Sequence, residues 1–404
     1  MHLILSMKIC FLTRLDPFDY RSWSGTCHEM FVHLASHHQV LWIGNRHLSF
    51  WLRCLIKIQT LYEQMIGKKR GYSHFNKWHC RLKAKQVQRK IKNAAIDIIF
   101  SPNSPDFIAY LNTSIPILYS RDATFNLFVD YYPTFFGLKK RQIEEGNEID
   151  RMAIEKSWKI IYSSEWAGRS AIEFYGAEPN KISVLHFGAN LVYAPKRENI
   201  HFSSSQENVC NLLFIGVDWF RKGGDIAYKT FKLLKSQGFR CRLFIVGCEM
   251  SFPECDPDVQ VVPFLNKNYR SEFDRLYEIY CQSHFLLLPT LADCTPIVFS
   301  EAAAFGIPVL TNDTGGNSSV IIEGVNGFLF PAASDETYYA NKIKTVFSDQ
   351  QSYLSLRRKC RDEFERRLSW TVWIDEVNKL ISESNASGVN GTASKEKYLY
   401  EEGH

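Results

Sequence analysis

Short apolar runs rich in β-branched and aromatic residues alternate with helix-length amphipathic segments along nearly the whole chain. Such alternation builds βαβ units, because one strand reaches a parallel neighbour only through a crossover long enough to hold a helix. In the first half the expected strands are Lys8–Thr13, Gln39–Ile43, Ile96–Ser101, Pro116–Ser120, Lys159–Ser163 and Ile182–His186. In the second half they are Asn211–Gly216, Arg242–Gly247, Val259–Val262, Phe285–Pro289 and Pro308–Thr311. Most are unbroken apolar runs, as expected of strands covered by helices on both faces.

Two such sets in 404 residues predict two α/β domains of Rossmann-like type, at 1–190 and 209–367. Residues 191–208, polar with a proline and a serine run, read as the linker. The pattern TVWIDEVNKLI predicts a last amphipathic helix over 368–381, packing back toward the first domain, and 382–404 reads as a disordered tail. No apolar stretch approaches the roughly 20 residues of a membrane-spanning helix. The opening MHLILSMKICFLT lacks a basic n-region and a cleavage site. Eleven scattered cysteines without metal-ligand spacing read as reduced thiols. The expectation is a cytoplasmic protein, bound if at all to the inner membrane face.

Charge is unevenly placed. Between Arg46 and Lys92 lie Arg53, Lys57, Lys68, Lys69, Arg70, Lys77, Arg81, Lys83, Lys85, Arg89 and Lys90, against Glu63 alone. The segment 46–93 reads as a helical insertion in the first domain. Its cations suit a solvated helix face or an anionic partner, a lipid surface or a phosphorylated acceptor. Trp51, Leu52, Leu55, Ile56, Ile58 and Trp78 add apolar residues for a membrane interface.

The chemistry is concentrated in Leu286–Phe330, which reads strand, loop, helix, strand, glycine loop, helix, turn. Thr295 as N-cap and Pro296 as first helical residue start a helix just after Asp293–Cys294. The free N–H groups and positive dipole end of that helix suit a diphosphate. Glu301, about a turn and a half inside, is in reach of ribose hydroxyls. Arg221 and Lys222, in LLFIGVDWFRKGGD, follow the first strand of the second domain, where open α/β sheets bind ligands.

The pair Asp293 and Glu301, set in strand–cap–helix–Gly-x-Pro-Val–strand–Thr-Gly-Gly, resembles the donor-site signature of the family 4 retaining glycosyltransferases of GT-B fold. The resemblance implies two Rossmann-like domains facing a central cleft. It implies transfer of a hexosyl-type sugar from a nucleoside diphosphate sugar to a lipid-linked or saccharide acceptor, with retention and with neither metal nor cofactor. By the same resemblance Asp293 lies near the donor sugar, Glu301 binds the ribose, and the loop Asp293–Ile297 offers backbone N–H groups. Family members usually carry glutamate where Asp293 stands, and an arginine where Val217 stands. Lys222 matches the family's lysine, with Arg221 as a neighbouring substitute.

In the first domain, Gly25 of Ser24-Gly25-Thr26 stands where the family's loop approaches the donor. Asp122 stands near the reacting carbon, or is a turn aspartate. Two rivals share these features: a catalytically silent sugar-nucleotide binder and a GT-B sugar-nucleotide isomerase. Nothing in the sequence points to nucleic acid.

Overall fold

The structure, a computed structural model, describes residues 6–65, 74–200, 209–250 and 256–386. The tail beyond 386, residues 201–208 of the expected linker and 66–73 of the basic insertion lie outside the described residues.

Two six-stranded sheets form, parallel throughout. The first holds β1 (Lys8–Leu12), β2 (Gln39–Ile43), β3 (Ile98–Pro102), β4 (Ile117–Arg121), β5 (Lys159–Tyr162) and β6 (Ile182–Val184). The second holds β7 (Cys210–Ile215), β8 (Cys241–Val246), β9 (Val259–Val262), β10 (Phe285–Leu288), β11 (Val309–Asn312) and β12 (Gly327–Phe330). β12 was not among the expected strands. Its four residues stand directly behind the Gly324–Gly327 turn and pair with β11 alone, at the sheet edge.

The strand orders are β2-β1-β3-β4-β5-β6 and β12-β11-β10-β7-β8-β9. In each sheet the first strand has its neighbours on opposite sides, so the chain reverses direction there. The loops leaving such a switch point diverge and open a crevice at the carboxyl ends of the strands. Both crevices open into one cleft, of about 550 Å³, lined by residues of both sheets.

The last helix, Trp370–Ala386, crosses back to the first sheet. Trp370, Trp373, Ile374, Val377 and Ile381 enter one core with Ile9, Phe11, Met30 and Leu34. Asn378 Oδ1 meets His38 Nε2 at 2.8 Å. The helix runs past 381, where the tail was expected to begin, because its face stays buried as far as Ser384. Part of the expected linker is also packed: Leu191 belongs to the second core, and Arg197 bonds Asp362 and Glu365 at 2.6 and 2.7 Å.

The basic segment forms the helices Phe50–Met65 and Lys77–Ile91. Leu52 is buried and Ile56 packs on the same core, so neither is offered to an interface as expected. The outward row of the first helix is Trp51, Leu55, Ile58, Tyr62 and Met65, exposed by 49 to 85%. The charge is also less free than its sequence implies. Lys83 is buried against Asp106 at 2.6 Å, and Lys77 pairs with Glu148.

Trp373 is 1% exposed and meets Phe100 edge-on at 5.9 Å. Trp373→Ala is expected to lower unfolding free energy by about 3–5 kcal/mol, read from urea denaturation.

Candidate active site

Each wall of the cleft comes from residues just beyond a strand's carboxyl end. Asn103 follows β3, Asp122 follows β4, Lys222 follows β7, Lys267 follows β9, and Asp293 follows β10.

Asp293 is the meeting point of the second-domain loops. Lys222 Nζ bonds its Oδ2, and Arg221 Nη1 lies 3.6 Å from the same oxygen. Arg221 also donates to the Ala292 carbonyl at 2.8 Å. Arg221 Nε also lies 3.4 Å from Asp218, so two carboxylates hold the two cations, whose remaining N–H groups at the half-enclosed site suit an anion. Arg221 thus reaches the site from its own position, while Val217 is exposed at the cleft rim.

The helix after Asp293 begins later than expected. It spans Ile297–Ala304 with Pro296, extended at ψ 118°, as its cap residue. Thr295 is therefore not the N-cap. Its hydroxyl lies 2.7 Å from Ser163 Oγ, on the opposite domain. A proline at the cap leaves the helix without a side-chain acceptor, so its first N–H groups stay available at the cleft. Thr295, Pro296 and Ile297 all line the cleft.

Glu301 also lines it, 1% exposed. Its Oε1 takes Lys267 Nζ at 2.5 Å and its Oε2 accepts Tyr280 O–H at 2.7 Å. A carboxylate has about four acceptor positions, so capacity for a ligand hydroxyl remains.

On the first domain, Asp122 Oδ2 accepts the Trp23 indole N–H at 3.0 Å, while Oδ1 has no partner among the described residues. Burial pushes this carboxyl up from its ordinary pKa, against the Trp23 hydrogen bond that holds it down. Trp23 and Ser24 sit at φ 53° and 55°, and Gly25 at φ 94°. Left-handed backbone at two non-glycine residues concentrates strain at this loop. Gly25 lies beneath the cleft surface, and a Cβ there would stand 3.0 Å from the Tyr20 ring. Its neighbours Ser24 and Thr26 make the lining.

Lys267 and Trp23 were missed in the sequence, and so were three further residues. Tyr131 Oη accepts the Asp293 N–H at 2.9 Å, and Tyr132 Oη accepts the Cys294 N–H at 3.0 Å. Tyr132 also lies under the Arg221 guanidinium, 5.3 Å from ring centre to Cζ. Both tyrosines come from the first domain and hold the second domain's loop. Gly315 (φ 56°) lets that loop pack closely, since a Cβ there would lie 1.9 Å from the Asp293 carbonyl. The third is Asn190. Its amide donates to Ser24 O and Thr26 Oγ1, at 2.8 and 2.9 Å, and accepts from Trp370 Nε1 at 3.0 Å. Tyr-Tyr and a lone Asn carry no motif, so no sequence signal marks them.

The Asp256 and Asp258 carboxylates, the one D-x-D, lie outside the cleft and bond Lys235 at 2.7 and 2.6 Å.

Residues 196–366 match the family model described as "Glycosyl transferases group 1". The match lies on the second domain. The chain is 22% identical to spore coat protein SA of Bacillus subtilis over 306 residues, covering 70% of this chain and 78% of that protein. It is 22% identical to the capsular polysaccharide biosynthesis glycosyltransferase CapM of Staphylococcus aureus over 257 residues, covering 58% of this chain and 65% of that one. Among solved structures, Anabaena Alr3699/HepE in complex with UDP superposes with a TM-score of 0.61 at 19% identity, covering 94% of this chain and all of that one. The two-sheet architecture is the GT-B fold.

The tyrosine clamp joins the two domains across the cleft. Tyr132→Phe strips the buried Cys294 N–H of its acceptor. The expected result is a loss of about 1–3 kcal/mol in chemical denaturation.

Proposed function

We propose that this group 1 glycosyltransferase transfers a hexosyl-type sugar with retention, from a nucleoside diphosphate sugar to a lipid-linked or saccharide acceptor. The observation that carries the reading is the convergence of Arg221 and Lys222 on Asp293 beside the open end of the Ile297–Ala304 helix. Cations and free N–H groups in one concavity match a leaving diphosphate. The UDP complex of the HepE neighbour supports a uridine or similar nucleotide as carrier.

In this reading Lys222 and Arg221 hold the charge that grows on the diphosphate as the glycosyl bond breaks. The leaving oxygen takes the acceptor proton, so no strong protein base is needed, and no metal is assigned. Asp293 lies near the donor sugar, Glu301 binds the ribose, and Thr295, Pro296 and Ile297 line the diphosphate. Asp122 offers its unpartnered oxygen near the reacting carbon. Gly25 acts through the loop it allows to bend. Arg221 reaching Asp293 favours an active enzyme over a silent binder, since it compensates for Val217.

The acceptor enters on the first-domain side. There the row Trp51, Leu55, Ile58, Tyr62 and Met65 is the apolar face of a helix whose other exposed residues include Arg53 and Lys57. Reversible docking on an anionic membrane face follows from that face, as an amphipathic helix lies in a lipid interface. Among the described residues no helix is long and apolar enough to cross a membrane.

Purified protein given a panel of nucleotide sugars is expected to hydrolyse or transfer from one of them. Lys222→Ala should lower kcat more than it raises the donor KM, and Glu301→Ala should weaken donor binding by about 1.5–3 kcal/mol. Full turnover in the lysine variant with affinity alone lost would make Lys222 a ground-state anchor. Sedimentation with vesicles should show binding that needs anionic lipid, falls with salt, and weakens in a Trp51→Ser, Ile58→Ser variant. Equal, negligible binding in all conditions would leave a soluble saccharide acceptor.

A further inference from the structure

The Phe50–Met65 helix also walls a second cavity, of about 400 Å³, separate from the cleft. Arg53, Lys57 and Thr60 line it at i, i+4 and i+7, the spacing of one helix face. Lys83, His74 and Asn45 complete its polar wall, and no carboxylate is among its described lining residues. Lys83 is already offset by Asp106, but Arg53 and Lys57 form no ion pair among the described residues. Burial and the charges of Arg14 and Lys83 push His74 down to about 3, so near neutral pH it is an uncharged donor and acceptor. The concavity therefore holds uncompensated positive charge with neutral hydrogen-bonding groups around it.

Its position matters as much as its charge. Asn45 follows β2, and Asn103, which lines the cleft, follows β3. β2 and β3 flank β1 in the same sheet, so the strand ends that lead into the two concavities lie about 10 Å apart by strand spacing. Arg14 joins them: it bonds the Asn103 carbonyl and lies 3.5 Å from Asp106, which holds Lys83. Leu48 and Ile56 add an apolar strip to the cavity wall.

We propose that this cavity binds a phosphoryl group, that of an organic phosphate acceptor whose hydroxyl reaches the cleft. The assignment rests on the reading of the first domain as the acceptor side. Two unpaired cations in one concavity can form charge-assisted hydrogen bonds to a phosphate, about twice as strong as neutral ones.

The probes are n-decyl phosphate and inorganic phosphate, titrated calorimetrically into the full chain. The test variant is Arg53→Gln with Lys57→Gln; both side chains are exposed, and nucleotide-sugar binding checks that the fold is intact. Decyl phosphate is expected to bind at least tenfold more tightly than inorganic phosphate. The double variant should lose at least tenfold in affinity for both, while Lys222→Ala binds decyl phosphate as the parent does. No binding by the parent, unchanged binding in the double variant, or a loss seen only in Lys222→Ala would overturn the site. Tighter binding of inorganic phosphate would make it a free-phosphate site and overturn the acceptor assignment. A third arm uses phosphatidylglycerol vesicles: if the double variant weakens vesicle binding and leaves both phosphates unaffected, the cations touch a membrane and the cavity assignment fails. Failure of the transferase reading is distinct, since it appears as parent protein that binds phosphate and turns over no nucleotide sugar.

Discussion

A carboxylate in a half-enclosed cleft needs opposite charge or hydrogen bonds, and Asp293 draws both from two separate stretches of chain. Lys222 and Arg221 come from the loop after β7, and the backbone on either side of its side chain is held by Tyr131 and Tyr132. Burial and the negative charge of Asp293 push the Tyr132 hydroxyl far up, so it keeps its proton across the usable pH range. The loop is thereby fixed before any ligand arrives. Preorganised charge of this kind is what stabilises a developing anion without reorganisation cost.

The second constraint is geometric. Two switch points can share a ligand only if the two sheets are held at a set distance and angle, and few covalent links cross between them. Asn190 supplies part of the hold. Its side chain ties the strained Trp23–Gly25 loop to Trp370, and its carbonyl accepts from Lys267, which pairs with Glu301. Asn190 therefore touches the first-domain loop, the returning helix and, through Lys267, the Glu301 side of the cleft. The returning helix adds its apolar burial against β1 and β3. Relative domain motion must work against both.

The fold was legible because burial on both faces leaves an unambiguous trace: long apolar runs at βαβ spacing. Only β12 escaped, being four residues at an edge, where one neighbour and a glycine turn leave little pattern. Most of the charged residues that converge in the cleft were legible as well: Arg221, Lys222, Asp122 and Asp293 each follow a strand, and such positions face a ligand in an open α/β sheet, whereas Lys267 was not marked. What the sequence hid were partners chosen by three-dimensional proximity. Tyr131 and Tyr132 lie about 160 residues from the loop they clamp. The cap of the Ile297–Ala304 helix was hidden for a local reason. Thr295 has the right chemistry to cap, but Pro296 stays extended and Thr295 turns to Ser163 instead.

The basic segment shows how far a charge count can mislead. Read linearly, eleven cations face one glutamate. Folded, they divide by what lies behind them. Lys83 is buried because Asp106, fully buried itself, could not remain ionised without it. Lys77 is taken up by Glu148, seventy-one residues away in sequence. Arg53 and Lys57 have no such partner among the described residues, because the helix that carries them turns its apolar row outward and its cations toward a cavity whose described lining holds no carboxylate. A helix placed only to cover the sheet would do the reverse, with apolar side chains inward and charges in solvent. This one does both, burying Leu52 and also exposing a full apolar row. Contiguous exposed apolar side chains are a common mark of an interaction surface, and the proposed docking rests on that row.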